Sequence, residues 1–185
     1  LLPWQGRVKI SLGLAQAQEL TLHLRLPAWA GKSLIWINGE EQELPLYRKV
    51  RFDPTATGYD PRLAFDLPLT RLWQPGDEIE LDFEMPVRVL RPHEKAKALR
   101  GQVAIHRGPL VYCLESIDNP QVDIFTQSIS PEAVFTTEQS DLFGGIVLLK
   151  VQAVGGQSLT FIPYSLWGNR GESKMSVWVK ETRKD

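Results

Sequence analysis

The sequence predicts an all-β protein built as two consecutive antiparallel β-sandwich modules of jelly-roll type, and three observations predict it. Hydrophobicity alternates with a period of two along most of the chain, turn-forming residues punctuate those runs, and no stretch carries an amphipathic helical repeat. Many short strands without strand–helix–strand alternation point to sandwiches rather than to a parallel sheet. The 13 prolines and 14 glycines are spread between the runs instead of gathering into one flexible tract, which is how punctuation rather than a linker looks.

The first strands are read from their alternation. Val8, Ile10 and Leu12 alternate with Lys9 and Ser11, and Leu20, Leu22, Leu24 and Leu26 alternate with Thr21, His23 and Arg25. Ile79, Leu81 and Phe83 alternate with Glu80, Asp82 and Glu84. Each run describes a half-buried strand with one wet face. Ser33-Leu-Ile-Trp-Ile37 and Ile146-Val-Leu-Leu149 are apolar on both faces and read as more central, with Trp36 packed. Turns are expected at Gly31-Lys32, Asn38-Gly39, Pro75-Gly76-Asp77 and Gly155-Gly156. After Val89 the strand pattern restarts with Gln102–Arg107 and, across Gly108-Pro109, with Pro109–Glu115. Pro92–Arg100 is therefore the expected linker, with room for a helical turn, and the modules are placed at 1–95 and 96–185. Asp118–Ser130 and Thr136–Phe143 are expected as the longest loops. Phe161–Val179 is expected to form a closing hairpin around Gly168-Asn-Arg-Gly171.

Charge and composition narrow the functional classes. A formal net charge of −1 over 185 residues disfavours nucleic-acid and anionic-membrane partners, which select clustered basic surfaces. The densest cationic stretch, Arg88, Arg91, His93, Lys95, Lys97 and Arg100, is interrupted by Pro92 and Glu94 and reads as a solvated linker rather than an anion stripe. The charges from Lys174 to Lys184 read as a solvated strand edge and tail. No apolar run reaches the roughly 18 residues of a membrane span, and no signal-peptide pattern is present. The sequence opens Leu1-Leu2-Pro3-Trp4 without an initiator methionine, which is compatible with processing and equally with a segment of a longer protein.

Candidate chemistry is sparse. The single cysteine, Cys113, permits no intrachain disulfide or cysteine-cluster zinc site, and its apolar run marks a buried small hydrophobe. A lone free thiol leans toward a reducing, cytoplasmic compartment. Paired carboxylates serve glycoside hydrolysis, and Asp53, Asp60, Asp66, Asp77, Glu78, Glu80, Asp82 and Glu84 crowd one region. Glu80, Asp82 and Glu84, however, recur every second residue and so line the wet face of one strand, while Asp77 belongs to a turn. His23, His93 and His106 share no metal-ligand spacing, and His23 and His106 are expected on exposed faces. No nucleophile elbow or phosphate loop occurs. The residue reading therefore assigns no catalytic and no metal-binding residue. Among the six tryptophans and four tyrosines, Trp29, Tyr59 and Trp73 sit near turns. They are the candidates for stacking on a sugar ring, with core capping as the plainer reading.

Five segments in order carry a resemblance: Leu24-Arg-Leu-Pro-Ala-Trp-Ala30, Ile37-Asn-Gly39, Leu72-Trp-Gln-Pro-Gly-Asp77, Arg107-Gly-Pro-Leu-Val-Tyr-Cys-Leu-Glu115 and Ile162-Pro-Tyr … Asn169-Arg-Gly … Met175-Ser-Val-Trp178. Together they resemble the C-terminal β-sandwich region of the β-L-arabinofuranosidase family of glycoside hydrolases, family 127. The segment Phe52–Asp66 is longer than the family pattern. The resemblance implies two β-sandwiches following an (α/α) barrel that holds the catalytic centre, a nucleophilic cysteine in a zinc site of cysteines and a glutamate, with a separate acid/base glutamate. None of these maps onto a position here, so no cofactor is expected within this chain. The expected role is an accessory region that supports that barrel or a homodimer. The alternatives are a carbohydrate-binding module for arabinose-containing glycans and a stand-alone structural or interaction protein.

Overall fold

The computed structural model describes residues 2–30, 32–43 and 65–182. They form 15 strands, β1 to β15, and no α-helix. The chain divides into two compact units, Leu1–Pro86 and Val87–Asp185. The division falls before the expected linker because β7 (Val87–Leu90) pairs antiparallel with β8 (Gln102–Arg107) and so belongs to the second unit. The expected linker itself is folded, with a 3-10 turn at Lys97–Leu99.

The first unit is a sandwich of two sheets. One has the order β1 (Arg7–Ser11), β6 (Glu78–Phe83), β3 (Ser33–Ile37), β4 (Glu40–Glu41), and the other pairs β2 (Gln18–Leu26) with β5 (Phe65–Trp73). Alternation puts Leu24 and Leu26 from β2, Leu67 from β5, Ile35 and Ile37 from β3, and Ile79, Leu81 and Phe83 from β6 into one core, as the period of two requires. Burial of such side chains is the main favourable term in folding, about 1.5–3 kcal/mol for each one removed from water. Ser33, Ile35 and Ile37 are buried whereas Leu34 and Trp36 are only half-buried, so β3 is one-sided rather than apolar-covered on both faces. Gly6 is buried where the backbone of Phe83 closes on it, the Phe83 N–H donating to Gly6 O at 3.1 Å. A Cβ at this position would meet Phe83 O at 1.9 Å, so only glycine fits.

The second unit is one curled nine-stranded sheet, ordered β10 (Ser128–Ile129), β15 (Trp178–Glu181), β8, β9 (Leu110–Glu115), β13 (Ser158–Pro163), β12 (Ile146–Gln152), β11 (Thr136–Ser140), with β7 beside β8 and β14 (Met175–Ser176) beside β9. All pairings are antiparallel except the two-residue contact of β10 with β15. Its concave core holds Val103, Ile105, Tyr112, Leu114, Leu149, Leu159 and Phe161, and the Tyr112 hydroxyl donates to Val147 O at 3.0 Å.

Three expectations fail in this unit. Phe161–Val179 is not a hairpin: β13 pairs with β9 and β15 with β8, so two strands lie between its arms. Thr136–Ser140 is not loop but β11, paired with β12 and bearing the Glu138–Lys150 ion pair at 2.6 Å. His106 is buried rather than exposed, because the central strands are covered on both faces and Val103, Ala104, Ile105 and His106 are all enclosed.

Candidate functional site

Two polar clusters, around Asp77 and around Glu115, clasp turns and loops together, and four of the five motif segments build them. In the first unit the Asn38-Gly39 turn meets the Pro75-Gly76-Asp77 turn. Asn38 Nδ2 donates to Asp77 Oδ1 at 2.9 Å, the Glu78 N–H to Asn38 Oδ1 at 2.9 Å, and the Gln74 N–H to Asp77 Oδ2 at 2.8 Å. Asn38 and Gly76 take positive φ, of 51° and 85°, which asparagine and glycine tolerate best. Asp77 is thus the expected turn residue. The Gln74 and Asn38 hydrogen bonds hold its carboxyl below the usual carboxylate range, against a smaller opposing effect of desolvation.

The second clasp lies where β9 ends. Glu115 is wholly buried at the close of an apolar strand. Arg170, in the segment between β13 and β14, donates from Nη2 to Glu115 Oε2 at 2.7 Å and to Asp118 Oδ2 at 2.5 Å, and from Nη1 to Asp118 Oδ1 at 2.7 Å. The Gly168 N–H donates to Glu115 Oε1 at 2.9 Å, and the Ser173 hydroxyl donates to the same oxygen. Burial alone would push the Glu115 carboxyl up. The bonds from Ser173, Gly168 and Arg170, with the Arg170 charge, outweigh it and hold the group below its ordinary value. The same two carboxylates raise Arg170, chiefly through the hydrogen bond to Asp118. Beside this cluster Asn119, also wholly buried, donates from Nδ2 to the Glu115 and Thr160 carbonyls at 2.8 and 2.9 Å and accepts the Thr160 N–H at 2.8 Å. Both carboxylates and the Asn119 amide are bonded within the protein, and of the cluster's side chains only Arg170 leaves a buried atom, Nε, without a hydrogen-bond partner. The cluster is therefore fitted to fasten the 164–174 segment over β9 and not to exchange protons with a substrate.

The described residues singled out in the sequence are scattered rather than gathered into one site. Trp73 is wholly buried, its indole N–H donating to Leu20 O at 3.1 Å, with the Arg71 guanidinium 5.1 Å from its ring centre. Its expected exposure beside the turn is corrected: the last residue of β5 points into the core, leaving no ring face for a sugar. Trp29 is half-buried and edge-on to Phe83, ring centres 5.6 Å apart. Tyr59, Asp53 and Asp60 lie outside the described residues. Glu80 is exposed on the wet face and Asp82 pairs loosely with Arg7 at 3.5 Å, as alternation predicts. His23 is exposed and meets Asp66 at 2.8 Å. The His106 Nδ1–H donates to Gly108 O at 3.2 Å, and burial keeps its imidazole neutral to lower pH than usual.

Cys113 is buried, and burial followed by the Glu115 and Asp118 charges pushes its thiol up to about 12, far from the thiolate a nucleophile or metal ligand requires. No group of three or more His, Cys, Asp or Glu among the described residues is arranged to hold a metal ion. With Glu115 and Asp118 already committed to Arg170, the residues around Cys113 do not fit a zinc centre of cysteines and a glutamate. The sequence reading missed the Glu115–Arg170–Asp118 set, although a carboxylate closing the apolar run Leu110–Glu115 was a visible sign of a buried charge needing a partner.

Comparison with known proteins agrees with this geometry. The model of the β-L-arabinofuranosidase family 127 middle domain matches residues 1–85, and that of the glycoside hydrolase family 127 C-terminal domain matches residues 87–180. A non-reducing end β-L-arabinofuranosidase from Bifidobacterium longum subsp. longum is 26% identical over 209 aligned positions, covering 96% of this chain and 29% of that enzyme. The crystal structure of a family 127 β-L-arabinofuranosidase from Geobacillus stearothermophilus T6 matches with a TM-score of 0.77 at 30% identity, over 98% of this chain and 29% of that one. A second solved glycoside hydrolase matches with a TM-score of 0.80 at 29% identity, over 98% and 31%. The chain thus spans under a third of the length of these relatives, and its two units coincide with two successive family domains. Motifs, fold and both domain models converge on one assignment: the chain belongs to glycoside hydrolase family 127, as its middle and C-terminal domains.

Proposed function

We propose that this chain is a non-catalytic accessory region of a larger β-L-arabinofuranosidase-type glycoside hydrolase, in which it supports a catalytic (α/α) barrel. The observation that carries this reading is the commitment of the carboxylates of both clasps to donors within the protein: the motif residues that mark the family here are Asn38, Asp77, Glu115 and Arg170, and each fastens turns and loops. The cysteine-containing zinc centre that the family resemblance implies would then be supplied by the barrel, since Cys113 and its neighbours do not fit one. Exposed Phe143, Tyr164 and Trp167 on the second unit are in keeping with a surface that another part of the protein covers. The purified chain is expected to leave an aryl β-L-arabinofuranoside unhydrolysed and to bind a hydrophobic dye or self-associate. Turnover by the pure chain, or a strictly monomeric chain with no dye binding, overturns the reading.

A further inference from the structure

The cationic stretch Arg88–Arg100 folds into something the role above does not use. After β7 the chain turns back through Ala96 N–H to His93 O at 2.8 Å, Leu99 N–H to Ala96 O at 3.0 Å and Glu181 N–H to Gly101 O at 2.9 Å. This winding borders an open surface depression of about 220 Å³ within the second unit, where the end of β7, the start of β8 and the end of β15 converge. Its lining includes Arg91, His93, Glu94, Arg100, Gln102 and Glu181.

The chemistry of that lining is specific. Arg91 is locked bidentately to Glu181, Nε to Oε2 at 3.0 Å and Nη2 to Oε1 at 2.6 Å, so both planar groups are fixed at the wall. His93 Nδ1 accepts the Lys95 N–H at 3.2 Å, which puts the proton of the neutral ring on Nε2 and makes that atom a donor. Gln102 spends its Nε2 on Ala98 O at 3.3 Å and keeps its Oε1 as an acceptor. Arg100 is exposed, with no ion-pair partner among the described residues. Two arginines and two glutamates line it, so apart from His93 the lining carries no net charge. An anion would find as much repulsion as attraction. A neutral ring bearing adjacent hydroxyls, each both donor and acceptor, matches this mix of planar donors and acceptors, with Pro92 and Ala96 giving apolar surface for its C–H groups. The volume is on the scale of one such ring.

We propose that this depression is a binding subsite for a single neutral monosaccharide unit, with Arg91, Arg100, Gln102 and Glu181 as its hydrogen-bonding residues. The proposal is independent of the accessory role, since it concerns a ligand held by this unit alone. The test is a titration of the chain with L-arabinose, D-xylose and D-galactose, and separately with inorganic phosphate, followed by amide and arginine side-chain NMR. At least one sugar is expected to shift Gly101, Gln102 and the Arg91 and Arg100 side chains with a millimolar Kd that added salt leaves unchanged. Arg100→Ala is expected to weaken it about tenfold while amide resonances outside 91–102 stay in place. No sugar-dependent shift at these residues, or shifts confined to other residues such as Trp29, overturns the proposal. So does phosphate shifting the same residues in a salt-sensitive way while the sugars do not.

Discussion

The two units solve the placement of charge in opposite ways. In the first, strands bury one face each, so Arg7, Lys9, Glu78, Glu80 and Asp82 stay on the wet side, and the most buried carboxylate among the described residues, Asp77, needs only backbone and amide donors in a turn. In the second, β8, β9 and β12 are covered on both faces, and a carboxylate in such a strand can reach neither water nor an edge. Glu115 therefore meets a full guanidinium, and Asp118 meets it too. A one-sided sheet keeps its charges outside, whereas a two-sided sheet has to neutralise the ones it keeps.

That contrast can be broken experimentally, unit by unit, with amide hydrogen exchange resolving where protection is lost. Trp73→Ala should have the largest effect, lowering the stability of the first unit by about 4 kcal/mol through lost burial and a residual cavity, with exchange rising in β3 and β6. Arg170→Ala should cost the second unit about 3 kcal/mol, because it strands the wholly buried Glu115. Protection should fall in β9 while β3 and β6 are unchanged, and equal loss in both units would refute the idea of separate clasps. Gly6→Ala should cost the first unit about 2–3 kcal/mol by forcing the Phe83 backbone away, read as a lowered Tm.

Acid and alkali should separate the units further. Asp77 and Glu115 both ionise more readily folded than unfolded, so their contribution is intact above the ordinary carboxylate range near pH 4 and is lost as pH falls through the folded values. Both units should weaken in acid. Cys113 runs the other way: its stabilising contribution is full below the ordinary thiol value of 9.0 and is lost as pH rises toward about 12. Alkaline weakening from this source should appear in the second unit only, and Cys113→Ala should remove it. A denaturation midpoint measured against pH for both proteins decides the matter.

Most strands were legible because one-sided burial writes itself as alternation: Leu24 and Leu26 against Arg25, Ile79 and Leu81 against Glu80. Where burial is two-sided or absent, that signal vanishes. β11, Thr-Thr-Glu-Gln-Ser, is an edge strand with almost no buried residue, so no hydrophobic period could reveal it. His106 looked exposed because its polarity matches an outer face that turns out to be covered. Pairing order was not legible either, since β13 and β15 are close in sequence yet choose β9 and β8, partners set by long-range hydrogen bonds. The clasps were half legible. Asp77 read correctly as a turn residue from Pro75-Gly76, but nothing local in Asn169-Arg-Gly171 says that Arg170 reaches Glu115 across the fold.

The position of β15 bears on how the protein is made. It lies between β10 and β8, through Ser128↔Lys180 and Trp178↔Ala104, so a strand synthesised late is inserted into the sheet beside one made far earlier. All strands of the first unit have left the ribosome once Phe83 is out, and that unit can fold during synthesis. The second cannot complete its sheet until Trp178–Glu181 emerges, leaving the Gln102–Ala104 end of β8, beyond most of the β7 pairing, without that partner and open to foreign strands for the whole interval. A nascent chain stalled before Trp178 should therefore be captured by chaperones, while one stalled well past Glu181 should not.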